Sequence, residues 1–116
     1  MHSIPLNPLS PDVCVAPQLH PESMQAAVEA GFKSVINNRP DYEAGPEQPT
    51  SAVLEEAARE AGLQYAWLPV HPMLQTPEEV ARFAELLQTL PKPVLVFCRS
   101  GARSTKLYRA ATQLQS

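Results

Sequence analysis

The sequence predicts a single α/β domain, residues 1–116, with a mainly parallel sheet flanked by helices. Three observations carry this. Short apolar strand candidates alternate with segments of helical periodicity, the pattern of a layered α/β domain. One of those strands, PVLVF at Pro93–Phe97, is an almost unbroken apolar run, as expected of a central strand covered on both faces. A chain of 116 residues, 44% hydrophobic and 18% charged, also fits one compact core.

Taken in order, Val13–Ala16 is a short strand. Pro21–Ala30 is a helix closed by Gly31, and Lys33–Asn37 (KSVIN) is the second strand. Residues 38–49 (NRPDYEAGPEQP) hold three prolines and a glycine and read as a loop. In TSAVLEEAAREAG, Leu54, Ala57, Ala58 and Ala61 share one helical face, and Gly62 ends the helix. Tyr65–Val70 (YAWLPV) is the third strand. Thr76, Pro77 and Glu79 spell a capping box with proline at the first helical position, and Val80, Phe83, Ala84 and Leu87 give that helix its apolar stripe. After the central strand, Arg103–Gln115 closes the chain as a helix with Leu107, Ala110, Ala111 and Leu114 facing inward. The thirteen prolines fall at helix starts and loops.

The net charge is −3, which argues against a nucleic-acid binder. Its distribution is uneven: residues 91–116 hold Lys92, Arg99, Arg103, Lys106 and Arg109 and no acid. A local positive field in an acidic chain suits a small anionic ligand. No apolar run reaches the ~20 residues that span a bilayer, so no membrane partner is expected. MHSIPLNPLSPDV lacks the basic start and apolar stretch of a signal peptide. Two cysteines without such a signal suit a reducing compartment, and the expected location is the cytoplasm.

The chemistry concentrates in VFCRSGARS. Cys98 stands at the carboxyl end of the most apolar strand, where ligands of parallel α/β sheets sit. A turn from strand into helix presents a ring of amide hydrogens reinforced by the helix dipole, and Gly101 lets that ring close around an anion. A thiol at its centre has its pKa lowered and becomes a nucleophile. Arg103 can grip an oxyanion through two parallel bonds. Arg99, Ser100, Gly101, Ala102 and Ser104 complete the substrate-binding cradle, with Ser104 in reach of the thiolate. A buried packing cysteine is the plainer alternative for Cys98, and the glycine and arginines weigh against it. Cys14 has neither nearby and reads as core packing.

CRSGARS resembles the anion loop of cysteine-dependent phosphatases and of rhodanese-type sulfurtransferases. Together with VINNRPDYE, LQYAWLPV, EEVARFAELL and PVLVFCRSGARS, the chain is similar over nearly its whole length to one bacterial family. That family is the tyrosine-phosphatase-like "β-lactamase hydrolase-like" group, domain of unknown function 442. The resemblance implies a dual-specificity-phosphatase-like fold. Some members are fused to persulfide dioxygenase or sulfide:quinone oxidoreductase domains, which implies sulfide oxidation as a setting and those enzymes as partners.

Three features bear on phosphoryl versus sulfur transfer. Four residues separate Cys98 from Arg103, as in rhodaneses, where tyrosine phosphatases carry five. Phe97 stands where phosphatases typically place histidine. The chain has only two aspartates, Asp12 and Asp41, and the stretch where a dual-specificity phosphatase carries its general acid reads LPVHPM, with His71. A sulfur donor needs no such acid, because sulfite or a low-pKa thiolate leaves unaided. The sequence therefore favours a sulfurtransferase that carries sulfane sulfur on Cys98 from thiosulfate or glutathione persulfide to a thiol acceptor. The alternative is a low-efficiency cysteine phosphatase working through a Cys98 phosphocysteine, with His71 or Asp41 as makeshift acid. A third reading, from a different class, is a non-catalytic anion- or protein-binding module.

Arg39 and Asp41 lie in a loop after a strand and are accessory candidates, although a local bond shaping the Pro40 turn is the simpler role. His2, His20 and His71 are scattered and the cysteines are far apart, so no metal site is expected. Nothing resembles a nucleotide-binding glycine fingerprint, and no cofactor is expected.

Overall fold

Nine elements build the domain in the computed structural model, which describes residues 4–114, with the backbone alone at 114. They are β1 (Asn7–Ser10), β2 (Val13–Ala16), α1 (Ser23–Glu29), β3 (Ser34–Asn37), α2 (Ser51–Glu60), β4 (Gln64–Trp67), α3 (Pro77–Thr89), β5 (Val94–Phe97) and α4 (Ala102–Leu114). The five strands lie in the order β1-β2-β5-β3-β4. β2, β5, β3 and β4 run parallel, and β1 pairs antiparallel with β2. This is the expected α/β architecture. The Leu114 side chain and the Gln115 end of the last helix fall outside the described residues.

The sheet divides the core in two. Val94 and Val96 of β5 join Val13, Val15 and Ile36 against Val80 and Phe83 of α3 and Leu107 and Ala111 of α4. Leu95 and Phe97 turn to the other face and pack with Ala16, Val35, Met24 and Ala27 of α1, and Leu54 and Ala58 of α2. All four β5 side chains are buried, which is why its sequence lacks the polar alternation of a half-covered strand.

Local chemistry sets most boundaries. The Thr76 hydroxyl accepts from the Glu79 amide (3.1 Å), and the Glu79 carboxylate accepts from the Thr76 amide (2.9 Å), so α3 starts where the capping box predicts. α1 and α2 end in the same way. The amides of Phe32 and Leu63 reach back to the carbonyls of Ala27 and Ala58, with Gly31 and Gly62 at positive φ.

Two elements differ from expectation. β1 was not expected: it holds Pro8 and forms a strand at the sheet edge, where a missing N–H is tolerated and the register slips between Pro8 and Ser10. β4 stops at Trp67 instead of reaching Val70. Pro69 has no amide to give the ladder, and the Val70 amide turns to the Asn38 carbonyl (3.0 Å), carrying the chain off the sheet edge.

Candidate active site

Between the ends of β2 and β3, the chain leaving β5 curls into α4. The Asn38 amide donates to the Phe97 carbonyl (2.9 Å) and the Gln18 amide donates to the Arg99 carbonyl (3.2 Å), so both neighbouring strands hold the loop. Gly101 sits at φ +96, and a Cβ there would meet Val15 Cγ1 at 3.1 Å. The turn therefore needs glycine both for its backbone and for the space beneath it.

Cys98 is buried, and its Sγ accepts a hydrogen bond from the Gly101 amide at 3.1 Å. Burial alone pushes the thiol pKa up. The Ser104 amide and hydroxyl and the amides of Gly101 and Ser100 outweigh it and bring the pKa below its ordinary value. Ser104 is also buried, and its hydroxyl donates to Asn38 Oδ1 (2.9 Å) while Asn38 Nδ2 donates to the Leu68 carbonyl (3.0 Å). A hydroxyl has one proton to give, so Asn38 and the Cys98 thiolate compete for it.

Arg103 leaves the first turn of α4 with its side chain 10% exposed. Its Nη1 donates to the Val70 carbonyl (3.0 Å) and its Nη2 to Glu43 Oε1 (3.1 Å). Its Nε is buried without a hydrogen-bond partner, a donor left over for a ligand. An open cavity of about 310 Å³ lies above the loop, lined by Pro72, Cys98, Arg99, Ser100, Ala102, Arg103 and Lys106. Three cations and no carboxylate line it. Arg99 and Lys106 make no ion pair among the described residues.

The accessory residues separate. Arg39 is buried behind the site, donating from Nε to Glu43 Oε1 (2.8 Å) and from Nη1 to Gln18 Oε1 (2.8 Å). Asp41 does not line the cavity and accepts from the Ser51 amide (2.7 Å) at the start of α2, an Asp–backbone bond. His71 is exposed at the rim and does not line the cavity. Its Nδ1 accepts from the Met73 amide (3.0 Å), so the ring is tied to its own loop.

Two residues escape sequence reasoning. Glu43 binds Arg39 and Arg103 through one oxygen. Burial pushes its pKa up, but the two guanidiniums hold it below the usual carboxylate range. No spacing in the sequence announces it, since the loop must fold back before it meets residue 103. Lys106 could have been found: it follows Arg103 by three residues, on the same helical face. Cys14 lies apart from the site and packs against the α1–α2 core, and both cysteines are free thiols. Among the described residues no three His, Cys, Asp or Glu side chains gather as metal ligands, and no helix is long and apolar enough to cross a membrane.

A thiol among loop amides, with a buried arginine beside the same cavity, thus stands at the end of the central strand of an α/β fold. The profile of the β-lactamase hydrolase-like protein, phosphatase-like domain, matches residues 5–115. The chain belongs to that family. A β-lactamase hydrolase-like protein of Xylella fastidiosa is 41% identical over 78 residues, 67% of this chain and 18% of its own length. The chain thus spans under a fifth of the curated relatives it matches. A phosphatase-like protein of Neisseria meningitidis superposes with a TM-score of 0.80 at 29% identity, covering 87% of this chain and 71% of that one. A DUF442 phosphatase-like protein of Shewanella putrefaciens shares the fold, with a TM-score of 0.80 at 22% identity over 95% of this chain and 68% of its own. Sulfur transfer, ranked first from the sequence, finds no support in these relatives, and their likeness backs the phosphatase alternative.

Proposed function

We propose that this domain is a cysteine-dependent phosphatase acting through a Cys98 phosphocysteine. The observation that carries the reading is the pairing of a buried, pKa-lowered Cys98 with Arg103, whose Nε has no partner. The amides of Ser100, Gly101 and Ser104 point at the sulfur, and the same ring suits the equatorial oxygens of a phosphoryl group. Sγ attacks phosphorus, the bond to the leaving oxygen breaks, and water then hydrolyses the phosphocysteine. Arg103 neutralises the charge that develops, and Ser104 keeps its proton and turns its hydrogen bond to the sulfur as the thiolate departs.

The cavity limits the leaving group. Asp41 is tied to α2, His71 does not line the cavity, and Glu43 is paired with two guanidiniums, so none is placed to protonate it. Activated aryl phosphates then turn over and alkyl phosphates turn over slowly. The test is p-nitrophenyl phosphate turnover together with the intact mass after a rapid quench. Cys98-dependent turnover with a phosphoryl adduct supports the reading, and its absence in the unaltered protein removes it.

The missing acid also favours a second reading, sulfur transfer. Here the thiolate attacks the outer sulfur of thiosulfate or glutathione persulfide, expels sulfite or glutathione thiolate, and passes the sulfur to an acceptor thiol. Persulfide dioxygenase or sulfide:quinone oxidoreductase would be its functional partners, and the reducing cytoplasm its compartment. A gain of one sulfur in the mass of the thiosulfate-treated protein, with no aryl-phosphate turnover, selects it.

A further inference from the structure

We infer that the preferred substrate of this pocket is a phosphoanhydride, a phosphoryl group joined through oxygen to a second phosphate. The inference rests on the phosphatase reading. Two features lead to it independently.

The first is the missing proton donor. A phenol released unprotonated must leave against a pKa near 10, and an alkoxide fares far worse. A phosphate leaves readily, since its own second pKa is about 6. The reaction then balances without an acid. As the Cys98 Sγ–P bond forms, the bridging P–O bond breaks and its electron pair goes to the departing phosphate. Water next cleaves Sγ–P, restoring the thiolate and releasing phosphate and a proton to solvent.

The second is surplus positive charge. One phosphoryl group is served by the amide ring and by Arg103. Arg99 and Lys106 also line the cavity, unpaired with any carboxylate of the described residues. Lys106 stands one helical turn beyond Arg103, and Arg99 follows Cys98 directly, so both border the cavity beside the sulfur. A monoester with an uncharged alcohol gives them nothing to bind. The leaving phosphate of an anhydride gains charge in the transition state where these cations lie, which is where electrostatic stabilisation accelerates a reaction.

The test compares inorganic pyrophosphate with p-nitrophenyl phosphate in the unaltered protein, Cys98→Ser and Lys106→Ala, with far-ultraviolet circular dichroism checking the fold. Pyrophosphate is expected to be cleaved in a Cys98-dependent way. Lys106→Ala should lower the ratio of the two kcat/KM values about tenfold, the scale of one charge-assisted bond. Methylenediphosphonate should inhibit aryl-phosphate turnover more tightly than methylphosphonate, and Lys106→Ala should shrink that gap. Cys98-dependent cleavage of p-nitrophenyl phosphate without cleavage of pyrophosphate overturns the inference and leaves the phosphatase reading standing. So does an equal fall on both substrates in Lys106→Ala. If neither substrate is cleaved, the phosphatase reading falls and takes the inference with it.

Discussion

Cys98 shows how a buried thiol can still have its pKa lowered: the compensation is local and comes from the amides of Ser100, Gly101 and Ser104 and the Ser104 hydroxyl. Ser104→Ala removes one of those donors, so the pH midpoint of iodoacetamide alkylation should rise above that of the unaltered protein. An unaltered profile in Ser104→Ala would assign the lowering to the amides alone. Glu43 is the other residue with a directional consequence. Its folded pKa lies below the ordinary 4.5, so its contribution to stability is complete above that value and is lost as pH falls through the lowered one. Glu43→Gln strands two guanidiniums and should cost about 2–3 kcal/mol near neutral pH, less than a fully buried pair because the carboxylate is 19% exposed. Denaturant melts of the two proteins should converge on acidification. The turn from Cys98 to Arg103 was legible from residue types, because an apolar strand running into Cys98, with Gly101 after it, marks a tight strand-to-helix loop. Glu43 was not, because its role exists only after residues 38–49 fold back over the sheet.

At the scale of elements, the loop from β5 to α4 depends on Gly101. Gly101→Ala places a Cβ at φ +96 and 3.1 Å from Val15 Cγ1. The strain should cost about 1–3 kcal/mol and, by shifting the amide that faces Sγ, lower turnover more than stability alone explains. Chemical denaturation measures the first effect and kcat at saturating substrate the second. Elements with a chemical signature at their ends were readable: α3 through its capping box, α2 through Gly62 at its end. β1 was not, because nothing in NPLS distinguishes a proline tolerated at a sheet edge from one that breaks a strand.

For the molecule as a whole, β5 is the common wall of two cores, Val94 and Val96 serving one helix pair and Leu95 and Phe97 the other. Leu95→Ala opens a cavity against α1 and α2, far from the thiol, and should still cost about 2–5 kcal/mol in a melting experiment. The layered architecture followed from the alternation of strand and helix patterns, and the central place of β5 from its lack of polar residues. Strand order carried no such local mark, because which strands become neighbours depends on how the helices cross the sheet. One consequence of that central wall concerns timing. The amides of Val94–Phe97 are enclosed on every side, so their deuterium uptake should require opening of the entire molecule. Cys98 follows directly after them, which ties its loop to the last segment to come apart, so on warming the alkylation profile of Cys98 should hold until the domain itself melts.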